Sequence, residues 1–82
     1  MSGVDYSVSY MEGPSVSGRA TSLFVKDGST VLTIGRGHAP LVSVLSKGKL
    51  SVHLESGETV SYAFQEGFLN CVQDRVSVTI LR

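Results

Sequence analysis

Few side chains in this 82-residue chain are equipped for chemistry, and their spacing assigns them none. His38, His53 and Cys71 are far apart and lack the close ligand pairs of a zinc site. Glu55 and Glu58 flank Ser56-Gly57, where two carboxylates at a hairpin tip are solvated side chains rather than an acid–base couple. The 13 serines are scattered, with no Gly-x-Ser-x-Gly elbow to activate one of them. Gly35-x-Gly37 lacks the third glycine and the following helix of a phosphate-binding loop. No nucleophile–base pair, metal or other cofactor is expected, so the chain reads as non-catalytic.

The most informative stretch is Ile34-Gly35-Arg36-Gly37-His38-Ala39-Pro40-Leu41. Its two glycines allow positive φ or close backbone approach. Pro40 fixes its own φ and holds Ala39 extended, so a stiff, irregular loop should run into a strand over residues 41–45. His38 either closes that loop with a hydrogen bond or meets a partner, and the two roles are compatible. On local chemistry alone the stretch is a turn.

Around this loop the chain alternates with the period of strands. Val4, Tyr6, Val8 and Tyr10 share one face of residues 4–10, and Glu12-Gly13-Pro14 breaks that run. Residues 15–18 are at most a short edge strand. Over residues 19–26, Leu23 and Val25 should point inward, with Ala20, Ser22, Phe24 and Lys26 on the other side. Phe24 is then either covered by a second sheet or an exposed aromatic. Asp27-Gly28-Ser29-Thr30 is a hairpin turn. A strand over 31–34 precedes the glycine loop, and Lys47-Gly48-Lys49 makes the next turn. Leu50, Val52 and Leu54 face inward, then Val60, Tyr62 and Phe64 after a turn at 56–58. A last hairpin, 67–72 and 75–81 around Gln73-Asp74, puts Val76, Val78 and Ile80 inside.

No 11-residue window carries a helical stripe. The expectation is all-β: one domain spanning residues 1–82, a small β-sandwich or flattened barrel of about eight to ten short, mostly antiparallel strands. Seven basic and seven acidic residues cancel without clustering, which argues against nucleic acid as a partner and against direct membrane insertion. No apolar run approaches the roughly 18–20 residues of a spanning helix. The N-terminus has no signal-peptide pattern. A lone cysteine precludes an internal disulfide and fits a reducing compartment. A monomer is expected in isolation.

Gly37-His38-Ala39-Pro40-Leu41 resembles the signature of the ε subunit of F-type ATP synthases. Lys47-Gly48-Lys49-Leu50 resembles that family's turn into its next strand. Glu66-Gly67-Phe68-Leu69 and residues 76–81 resemble its closing hairpin, in the same order. The resemblance covers about residues 25–81. It implies an N-terminal β-sandwich at the foot of the central stalk, packed on the γ subunit with loops meeting the c-ring. Such a rotor subunit couples proton flow to ATP synthesis without chemistry, on the F1 side of a bacterial inner membrane (its cytoplasmic face) or the organellar equivalent. Carried onto this chain, the γ or c-ring candidates are Phe24, Asp27, Ser29, Thr30, Val31, Arg36, Gly37, His38, Ala39 and Pro40.

Three departures accompany the resemblance. The sequence stops at Arg82, so the family's C-terminal helices, which can bind ATP and inhibit hydrolysis, are not expected. Val31 stands where an acidic residue is usual, leaving Asp27 as the nearest acid. Arg36 and Gly35 replace a common Pro and a bulky residue, making the loop more basic. From another class, a free-standing β-sandwich interaction or ligand-binding module remains the alternative.

Overall fold

The structure, a computed structural model, describes residues 3–28, 30–37 and 39–82. Its strands follow the alternation: β1 Val4–Tyr10, β2 Ser15–Asp27, β3 Thr30–Gly35, β4 Leu41–Leu45, β5 Gly48–Leu54, β6 Thr59–Phe64, β7 Glu66–Val72 and β8 Arg75–Leu81. They hydrogen-bond in the order β4-β7-β8-β1-β2-β5-β6, with β3 also paired to β2. Every pairing is antiparallel except β1 with β8, which run parallel.

The long strand β2 belongs to two layers. Its first half pairs with β1, from Ser9↔Ser15 to Val4↔Ala20, and its second half pairs with both β3 and β5. Ala20 lies opposite Val4 and Leu54, and Ser22 lies opposite Gly35 and His53. β5 therefore runs along one edge of β2, while β1 and β3 share the other and diverge. One layer is β4-β7-β8-β1-β2 and the other is β3-β2-β5-β6. Buried apolar side chains from all eight strands form one cluster, including Val8, Leu23, Ile34, Leu45, Leu50, Phe64, Leu69 and Ile80. A single open sheet has no means of hiding them; two layers covering each other do, as in a β-sandwich.

The structure departs from strict alternation at β2. Residues 15–18 are not a separate edge strand but the start of this 13-residue strand. The register shifts between Ala20 and Ser22, so one extra residue is accommodated there. That insertion reverses the parity: Ala20, expected outside, is fully buried together with Leu23 and Val25. Phe24 keeps its outward position and is 36% exposed, so no second sheet covers it. The turn expected at Lys47-Gly48-Lys49 falls earlier, because Gly48 already pairs with Asp27 and Phe64 inside β5. A Cβ at Gly48 would collide with the Lys26 carbonyl, which explains glycine at this crossing of strands.

Candidate docking surface

Residues with catalytic potential are committed elsewhere. Glu58 accepts a hydrogen bond from Ser56 Oγ at 3.3 Å, whereas Glu55 lies 3.6 Å from Arg19 Nε. Arg19 Nη1 also donates to Asp5 Oδ1 at 2.9 Å, and this contact leads in raising the guanidinium pKa. His53 Nδ1 is 3.1 Å from Thr59 Oγ1 on the neighbouring strand. Cys71 is buried and free, and burial pushes its thiol pKa up, away from nucleophilic use. Among the described residues, no three His, Cys, Asp or Glu side chains gather as a metal site.

What the fold does build is an uncovered face. Among the described residues β4 is an edge strand paired with β7 alone, in the register Val42↔Asn70 and Val44↔Phe68. Inward positions on these strands hold Leu45, Leu69 and Cys71 in the core. Outward positions hold Val42 and Val44, 76% and 72% exposed, beside Phe68 and Val72, which are also exposed. The same face continues across β8 and β1 through small polar residues, with Asn70↔Ser77, Ser77↔Ser7 and Ser7↔Ser17 in register. A shallow concavity of about 550 Å³ indents one corner, between Asn70, Val72, Gln73, Arg75 and Ser77. Charge lies along one margin, where Arg75, Asp5 and Arg19 are in register across β8, β1 and β2, and at Glu66 at the start of β7. An apolar strip with a smooth uncharged flank and a charged margin can do no bond chemistry; it is suited to packing against another protein.

The sequence-derived candidates lie at two separate places. Asp27 and Thr30 close the β2–β3 hairpin, with Val31 exposed beside them and Phe24 farther along the same outer layer. Arg36, Gly37, Ala39 and Pro40 lie past the other end of β3, in the loop that crosses from one layer to the other. A six-residue strand, about 20 Å long at ~3.3 Å per residue, separates the two groups. Ser29 and His38 lie outside the described residues. Gly37 has φ 81°, and its N–H donates to Asp74 Oδ1 at 2.7 Å. The Asp74 carbonyl in turn accepts from the Asp5 N–H at 2.9 Å.

Val42, Val44, Phe68 and Val72 were not among those candidates, although their strands carried a signal. Leu41-Val42-Ser43-Val44-Leu45 and Phe68-Leu69-Asn70-Cys71-Val72 are apolar at both parities, as in strands covered on both faces. In this two-layer fold one of the two faces stays uncovered by the domain itself.

Comparison with known proteins agrees with this architecture. The chain is 44% identical over 62 residues to the ATP synthase epsilon chain of Chromohalobacter salexigens, covering 76% of this chain and 44% of that protein. It is 32% identical over 62 residues to the epsilon chain of Streptomyces avermitilis, covering 76% of this chain and 50% of that one. The chain thus spans about half the length of the curated relatives it matches. A chain in the cryo-EM structure of the Euglena gracilis mitochondrial ATP synthase (OSCP/F1/c-ring, rotational state 1) superposes with a TM-score of 0.83. That match covers 95% of this chain and 50% of the other at 16% identity, a likeness of fold. The family described as "ATP synthase, Delta/Epsilon chain, beta-sandwich domain" matches residues 5–81. The chain belongs to this delta/epsilon β-sandwich family, which is non-catalytic within the ATP synthase.

Proposed function

We propose that residues 1–82 act as one docking unit in the central stalk of an F1Fo ATP synthase, on the F1 side of the membrane. The unit packs on γ, reaches the c-ring and helps couple proton flow to ATP synthesis. The observation that carries this reading is the uncharged outer face at the β4–β7 edge, where Val42 and Val44 are 76% and 72% exposed. In this reading γ covers that face, with Arg36, Gly37, His38, Ala39 and Pro40 at its margin. The β2–β3 hairpin, with Phe24, Asp27, Ser29, Thr30 and Val31, meets the polar loops of the c-ring. A rigid sandwich with contact points about 20 Å apart, on opposite ends of a strand, can bridge two rotor components without moving parts. The bacterial epsilon chains among its relatives support the cytoplasmic face of a bacterial inner membrane as its place.

The test is a calorimetric titration of the 82-residue chain into γ, followed by capture of the detergent-solubilised c-ring with and without γ. Binding to γ at micromolar affinity or tighter, about −8 kcal/mol or better, is expected, with the c-ring retained through the pair. A chain that binds neither component is a free-standing module, and the proposal is then wrong. In reconstituted enzyme, proton pumping per ATP hydrolysed should rise when the chain is present.

A further inference from the structure

The geometry points to Asp74 as a positioning residue for the glycine loop: its carboxylate latches the Gly37 backbone and so holds the start of β4, and with it the docking face, in one arrangement. The docking role of the latch rests on the γ reading above; the latch itself rests on the Gly37–Asp74 hydrogen bond.

The chain leaves β3 at Gly35 in one layer and enters β4 at Leu41, at the edge of the other. In this loop Gly37 takes positive φ, and its N–H finds a partner outside the loop. That contact comes from the tip of the β7–β8 hairpin, where Gln73 and Asp74 both have positive φ, 49° and 60°. Hairpin turns with positive φ favour Gly, Asn and Asp, so Asp74 is at home there while Gln73 is the unusual occupant. Asp74 uses the position: Oδ1 is 2.7 Å from Gly37 N, a short, charge-assisted hydrogen bond. Its main-chain carbonyl holds the N–H of Asp5 at 2.9 Å, at the start of β1. One residue thus ties the layer-crossing loop to β8 and β1. β7, its own hairpin, is also the strand that β4 pairs with, and Val42 and Val44 follow the loop directly.

Two variants separate this role from turn stability. Asp74→Gly keeps the left-handed turn and removes the carboxylate; Asp74→Asn keeps an oxygen able to accept from Gly37. Amide exchange of Gly37 is read by NMR in the 82-residue chain, alongside its unfolding midpoint and its affinity for γ. In Asp74→Gly, Gly37 exchange should accelerate about tenfold or more, with the midpoint held and γ affinity lowered about tenfold. Asp74→Asn should stay within about threefold of the parent on both readouts. Unchanged Gly37 exchange in Asp74→Gly overturns the latch. Faster exchange with unchanged γ affinity overturns its role in docking. If the parent chain fails to bind γ, the docking reading falls, and the exchange rates still judge the latch.

Discussion

Two residues show how position decides what a side chain contributes. Cys71 sits on the inward parity of β7, 1% exposed, and burial raises its thiol pKa. The neutral thiol is therefore favoured in the folded state relative to the unfolded one. Any contribution from this group is present at neutral pH, below the unfolded thiol pKa of about 8.5, and is lost as pH rises through the higher folded value. Maleimide labelling at neutral pH should be slow in the native chain and fast in denaturant, and rapid native labelling would contradict the burial. Phe24, at the outward parity of β2, is instead a surface residue lying between Thr33 and Ser51. Phe24→Ser should lower stability by no more than about 1 kcal/mol, well short of the ~3–5 kcal/mol typical when a core phenylalanine is truncated; urea unfolding distinguishes the two.

At the scale of elements, strands with one buried face were legible in the sequence. Residues 4–10, 50–54 and 76–80 alternate as written, and their inward residues are enclosed by the core except Tyr10 and Leu54, which are partly buried against it. β2 was not fully legible, because a bulge changes parity without requiring a distinctive residue type. Thr21 looks like any strand residue, and Gly18 suggested an end where the strand continues. The bulge makes a sharp prediction. Ala20→Leu should destabilise the fold by about 1–3 kcal/mol through overpacking, measured as a shift in urea midpoint. A neutral effect would mean that Ala20 faces outward, as unbroken alternation had implied. The exposed apolar face of β4 and β7 was missed for a different reason: alternation reports which positions are buried by the chain itself and does not single out apolar positions left exposed. The glycine-loop motif pointed to the family, while the largest exposed valines follow it on the next strand.

For the whole molecule, β1 is the element on which closure depends. It lies between β2 and β8, pairing antiparallel with one and parallel with the other, and it contributes Val4, Tyr6 and Val8 to the core. Deleting residues 1–10 should abolish the cooperative thermal transition, since the layer would lose a central strand and leave two new edges. A retained two-state melt, followed by circular dichroism, would contradict that placement. With β1 in place, the sandwich presents one apolar face, which is the central claim of the functional account. The most direct measurement is titration of γ with three chains: the parent, Val44→Asp and Phe24→Ser. Val44 is 72% exposed, so a charge there should leave the melt of the isolated chain nearly unchanged. Binding to γ should weaken by about 2 kcal/mol or more for Val44→Asp, and by less than about 0.5 kcal/mol for Phe24→Ser. Wild-type affinity in Val44→Asp, or a larger loss in Phe24→Ser, would place γ on another face and contradict the account.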